Sequence, residues 1–203
     1  MTATVLVACT ACGGTATQAP ATVSVPSRAQ VETALLTKAQ LPSGYSQTPT
    51  ASSAGMSGTG PNATCSDFAS GFMNDTLPGA AFEIDRDFAN HRSQSIGEGI
   101  APFPTTAAAA SMVKRFGVDV SYCPSLTITL HGQSATFALA EAPAPRVGTQ
   151  AYGVTMTATG GVRTFSESLT IVQKGATAVM VSAPTSAEAN RLTELAVTRV
   201  PGS

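Results

Sequence analysis

The stretch Ser168-Leu169-Thr170-Ile171-Val172-Gln173-Lys174-Gly175-Ala176-Thr177-Ala178-Val179-Met180-Val181-Ser182-Ala183 decides the fold. Two runs rich in β-branched residues flank a Lys-Gly step, the signature of two antiparallel strands joined by a tight turn. Thr185-Ser186-Ala187-Glu188 follows at once and has the form of a capping box. The helix it opens should pack Ala189, Leu192, Leu195 and Ala196 on the sheet. The strand signal also runs backwards. Leu126 to Leu130 alternates, His131-Gly132-Gln133 reads as a turn and Ala135 to Ala140 returns. Ala151 to Ala158 follows a Pro-containing surface loop, Glu141 to Gln150. A turn at Gly160-Gly161 leads into Val162 to Gln173.

Three helical segments precede these strands. Ser27-Arg28-Ala29-Gln30 is a capping box for a short helix with Val31, Ala34, Leu35 and Ala39 on its apolar side, and Leu41-Pro42 ends it. Ser46 to Pro61 reads as a loop. Cys65, Phe68, Ala69 and Phe72 have helical spacing on a segment starting near Asn62 or Thr64. A third helix, capped by Thr105 or Thr106, buries Ala109, Met112, Val113 and Phe116 and ends near Tyr122. Between the second and third lie two strands, Phe82 to Phe88 and Ser93 to Ile100. The expected fold is α+β, one antiparallel sheet of about six or seven strands with helices packed on one face.

The first strand alternates Phe82, Ile84 and Phe88 with Glu83, Asp85 and Asp87, so period two gathers the three acids on one side. Such a group can bind calcium or act on a glycosidic bond; it is also what a solvated outer face looks like. Elsewhere the chain is poor in chemistry. His91 and His131 are isolated. There is no Gly-x-Ser-x-Gly, no zinc-protease helix motif, no P-loop and no dinucleotide fingerprint. No catalytic residue, metal site or cofactor is expected. Formal net charge is −1 with no basic block, which argues against nucleic acid.

The N-terminus sets the expected location. Val5-Leu6-Val7-Ala8-Cys9 has the order of a bacterial lipoprotein signal, in which a small residue precedes the cysteine that takes lipid. Cys12 is the weaker candidate. The apolar run is short and no Lys or Arg precedes it, so an upstream extension is expected. Residues 1–9 read as a partial signal with lipidation at Cys9, residues 10–27 as a flexible tether and residues 28–200 as the folded domain. The Thr- and Ala-rich composition, with 11% charged residues, suits an exported protein of a high-GC bacterium. The domain would face the extracytoplasmic side of the cell membrane. In that compartment Cys65 and Cys123 would form a disulfide, worth roughly 4 kcal/mol by loop entropy; two buried free thiols are the alternative.

Leu35-Leu36 with Leu41-Pro42-Ser43-Gly44-Tyr45, Cys65, Phe103-Pro104, Cys123-Pro124 and Lys174-Gly175 together resemble actinobacterial sensor-domain lipoproteins. Those proteins are similar to the extracellular sensor domain of the mycobacterial kinase PknH. The resemblance covers Val31 to Val200. It departs at Val147-Gly148-Thr149, where the family commonly has Leu-Gly-Asp. It implies a disulfide-bonded, non-catalytic module with a cleft that binds a small molecule, a lipid or an envelope protein. The alternatives are an envelope hydrolase acting on glycan through Glu83, Asp85 and Asp87, and a purely structural envelope protein.

Overall fold

The computed structural model describes residues 23–50, 56–72, 77–130, 132–159 and 165–201. Four α-helices and nine strands occur among them. α1 is Arg28–Ala34; after a 3-10 turn, Lys38–Gln40, come β1 (Ser46–Thr48), β2 (Met56–Thr59) and α2 (Ala63–Phe72). β3 is Ile84–Ala89, β4 Ser95–Pro102, α3 Thr106–Tyr122 and β5 Ser125–Leu130. β6 is Gln133–Ala142, β7 Gln150–Thr159, β8 Ser166–Lys174, β9 Thr177–Ala183 and α4 Ser186–Arg199. The caps are those the residues dictate. Ser27 and Gln30 form the full capping box of α1, Thr105 accepts from the Ala108 N–H, and Thr185 accepts from the Glu188 N–H.

All nine strands form one antiparallel sheet in the order β1-β3-β4-β9-β8-β7-β6-β5-β2. The expectation of six or seven strands is therefore corrected to nine. The seven inner strands are those the alternation marks. The two extra ones lie in the segment Ser46 to Pro61, expected to be a loop. They pair at opposite edges, β1 with β3 and β2 with β5. An edge strand needs no apolar alternation, because backbone pairing on one side holds it. Both are short, three and four residues.

The helices are not all on one face, which corrects the second part of the expected architecture. Val172, Val179, Val181 and Ala183 pack with α1 and α4, around Val31, Leu35, Leu192 and Ala196. Their strand neighbours Leu169, Ile171 and Ala178 point the other way and pack with α2 and α3, around Phe68, Ala109, Val113 and Phe116. Successive side chains of a strand alternate sides. Strands β8 and β9 are apolar on both sides and so carry a core on each. A near-continuous apolar run is the mark of a strand covered twice.

Two long-range ties hold the helices in register. Cys65 on α2 and Cys123 at the end of α3 are joined by a disulfide, Cα to Cα 5.4 Å. Phe68 and Phe116 meet edge to face beside it, centroids 5.6 Å apart. On the opposite face Lys174, the last residue of β8, donates its ammonium to the carbonyls of Val197 and Val200 at 2.7 and 2.8 Å. A cation on the last carbonyls of a helix satisfies orphan acceptors and suits the helix dipole. Val147-Gly148-Thr149 is a structural turn against β8. Gly148 has φ +71° and no room for a side chain against Gln173, and Thr149 donates its N–H to the Gln173 carbonyl.

Candidate functional site

The face bearing α2 and α3 is only partly covered by them. α3 packs over β6, β7, β8 and β9, and α2 over β2 and β5. Over β3 and β4 the surface is built differently. Glu83, Asp85 and Asp87 lie on this side as the alternation requires, and β4 opposes Asp85 and Asp87 with Gly99 and Gly97. The glycines leave the carboxylates their room. A Cβ on Gly99 would stand 2.6 Å from Asp85 Oδ1 and 2.8 Å from Glu83 Oε1. One on Gly97 would stand 3.0 Å from both Asp87 Oδ1 and Ser182 Oγ. The carboxylates lean into the trough that the missing side chains leave.

These acids are half-buried, so the solvated outer face considered from sequence is not what forms. Burial pushes Glu83 up to about 7; the Asp85 charge and a carboxyl–carboxyl hydrogen bond add to the rise, while the Leu77 N–H opposes it. That N–H donates to Glu83 Oε2 at 2.8 Å. Glu167, on β8, lies on the same side beside Asp87. It is raised by burial first and by the Asp87 charge, against a hydrogen bond from Ser182. Sequence reasoning missed Glu167 because the acid it couples to, Asp87 on β3, lies far away in the sequence and on a different pair of strands. Among the described residues no group of three or more His, Cys, Asp or Glu is arranged to hold a metal ion.

At one end the trough opens into a pocket of about 350 Å³, lined among others by Arg92, Ser93, Gln94, Ser95, Phe165 and Glu167. Its rim is a rigid turn. Asn90 Oδ1 accepts from the N–H groups of Arg92 and Gln94, and Asn90 Nδ2 donates to Gln94 Oε1. Ser93 sits at φ +59°, the only non-glycine residue with positive φ among those described. Phe165 is 39% exposed. It is held edge to face by Phe137 and by its carbonyl, which accepts from the Ala158 N–H. A smaller apolar cleft of about 70 Å³ lies between α2, α3 and Met180.

Cys9 and Cys12 lie outside the described residues, as do His131, the Gly160-Gly161 turn and most of the tether. The boundaries at 9 and 27 therefore stay expectations. His91 is exposed on the β3–β4 connection. Among the described residues no helix is long and apolar enough to cross a membrane. The described chain starts at Val23, whose N–H donates to the Pro104 carbonyl beyond the end of β4.

No family model matches the chain, and no curated protein matches it in sequence. Its structure is similar to the crystal structure of the extracellular domain of PknH from Mycobacterium tuberculosis, with a TM-score of 0.66 and 11% identity. The match covers 87% of this chain and 97% of that one. At that identity the likeness establishes a shared fold: this chain has the fold of the PknH extracellular domain.

Proposed function

We propose that this chain is a cell-envelope lipoprotein whose folded part, residues 28–200, is a non-catalytic, extracytoplasmic sensor-like domain. It binds a small molecule, a lipid or an envelope partner. The observation that carries this reading is the fold shared with the extracellular domain of PknH, in a chain that contains the lipoprotein-like stretch Val5-Leu6-Val7-Ala8-Cys9. The Cys65–Cys123 disulfide belongs to an oxidising compartment and supports the same placement. A single acyl chain holds a protein marginally, so stable anchoring at Cys9 calls for two or more chains.

The test is the intact mass of the protein expressed with its upstream sequence in an actinobacterial host. A chain beginning at Cys9 with lipid attached is expected, gaining two protons on reduction. An unlipidated chain with free thiols overturns the reading. Ligand binding is checked by melting temperature in envelope extract, since anything that binds only the folded state raises it.

A hydrolase acting on glycan is the second reading, and Glu83 held near 7 beside Asp85 favours it. Against it, the two carboxyls hydrogen-bond to each other, whereas glycosidases separate theirs by at least about 5 Å to admit the substrate bond. Glycan cleavage abolished by Asp85→Asn would establish it.

A further inference from the structure

We propose that the pocket formed by the β3–β4 turn and the start of β8 is a carbohydrate-binding site, taking about one or two sugar rings, an inference that rests on the ligand-binding role proposed above. Its volume of about 350 Å³ lies at the lower end of the range of roughly 300–1,000 Å³ for small-ligand sites. The lining is of two kinds. Ser93, Gln94, Ser95 and Arg92 bring hydroxyl, amide and guanidinium groups, a mixture of donors and acceptors that suits a ring of hydroxyls. Glu167 brings a carboxyl from the opposite wall. Phe165 brings an exposed ring, braced from behind by Phe137, against which the C–H face of a pyranose can lie.

The rim is pre-organised. Three hydrogen bonds to the Asn90 and Gln94 side chains fix the turn, so little ordering entropy is lost when a ligand docks. The location also fits a glycan ligand. The described chain enters at Pro104, past one end of β4, and the pocket sits at the other end, roughly 25 Å away along the strand. A domain tethered through its N-terminus would carry the pocket at the end remote from the point where the tether joins it.

The experiment is an amide chemical-shift titration of the domain in three arms. The first uses glucose, mannose, galactose, arabinose, N-acetylglucosamine, maltose and cellobiose, each to about 20 mM, a concentration that detects millimolar binding. The second uses free amino acids, which the opposed charges of Arg92 and Glu167 would also suit. The third uses native envelope extract. At least one sugar should shift the amides of Arg92 to Ser95 and of Glu167 saturably. Phe165→Ala and Arg92→Ala should each weaken that binding about threefold or more with the fold intact by circular dichroism, Phe165→Ala alone also losing the ring pair with Phe137, while Leu130→Ala, exposed on β5, leaves binding unchanged. Amino acids shifting these amides in place of sugars overturn the carbohydrate assignment. Extract shifting them when no sugar does overturns it too, and leaves the ligand-binding role standing. Silence in all three arms overturns both.

Discussion

Glu98 on β4 accepts a hydrogen bond from the backbone N–H of Leu36, just beyond the end of α1. Glu98 is 2% exposed, and its other oxygen, Oε1, has no hydrogen-bond partner among the described residues. Two arginines complete the junction. Arg86 donates to the Leu36 and Glu32 carbonyls, and Arg199 to those of Thr33, Ala34 and Leu35. The first helix is thus clamped from β3, β4 and α4 through its exposed backbone groups. Burial pushes Glu98 up to about 7, against the Leu36 N–H and the Arg86 and Arg199 charges.

The pH dependence follows from that shift. The unfolded chain releases this proton near pH 4.5 and the folded one near 7. Stability from this group is full below about pH 4.5, falls between 4.5 and 7, and is flat above. Glu83 acts in the same direction over the same window. The melting temperature should therefore be higher at pH 5 than at pH 8. Glu98→Gln keeps the acceptor for Leu36 without the charge and should remove part of the fall, an effect of up to roughly 2–3 kcal/mol. A wild-type melting temperature flat across this range would refute the buried-carboxylate account.

The disulfide closes a loop of 58 residues between two helices that share one core. Replacing both Cys65 and Cys123 by Ala should cost about 2–5 kcal/mol. The loss should be larger than for Arg199→Ala, which removes hydrogen bonds from an exposed end of α4, about 1–3 kcal/mol. Urea unfolding of the three proteins ranks them directly.

The interior of the fold was legible because its signals are local. The caps at Ser27, Thr105 and Thr185, the period-two runs of the seven inner strands and the helical spacing of Cys65 and Phe68 each depend on neighbours in sequence. What stayed hidden is set by partners far along the chain. β1 and β2 are strands because β3 and β5 offer them a backbone edge, and their own side chains are mostly exposed. The two-sided sheet was hinted at by Leu169 to Val172, all apolar or Thr, but alternation elsewhere suggested one covered face. The acidic strip was legible on β3. Its glycine trough was not, since Gly97 and Gly99 acquire meaning only when paired with Asp87 and Asp85. Glu98 was not singled out, because a glutamate between two glycines carries no sequence mark of burial.

Two glycines in the sheet separate backbone from side-chain crowding. A Cβ on Gly58 of β2 would lie 2.7 Å from the Ala69 carbonyl oxygen and 2.8 Å from its carbon, within the backbone of α2. A Cβ on Gly99 meets the ends of carboxylate side chains, which can turn away. Gly58→Ala should thus cost about 1–3 kcal/mol, as overpacking against fixed atoms does, and Gly99→Ala less than about 1 kcal/mol. Chemical denaturation of the two variants checks the order. Equal losses would mean that the trough is as rigid as the helix.

Glu83 offers the sharpest test of what shapes the trough. Its proton is held chiefly by burial and secondarily by Asp85, through both charge and a shared hydrogen bond. Asp85→Asn removes the neighbouring charge and leaves the burial. If burial dominates, carbon-detected NMR titration should find Glu83 at about 7 in the wild type and lower in Asp85→Asn, yet still above the ordinary carboxylate value near 4.5. A full return to 4.5 would instead make the pair a coupled acid dyad in which charge repulsion governs. Two carboxyls coupled in that way titrate as a unit, the behaviour that a proton-transferring site requires and a passive trough does not. That outcome would strengthen the hydrolase reading, whereas a partial return leaves Glu83 a carboxyl kept neutral by its surroundings.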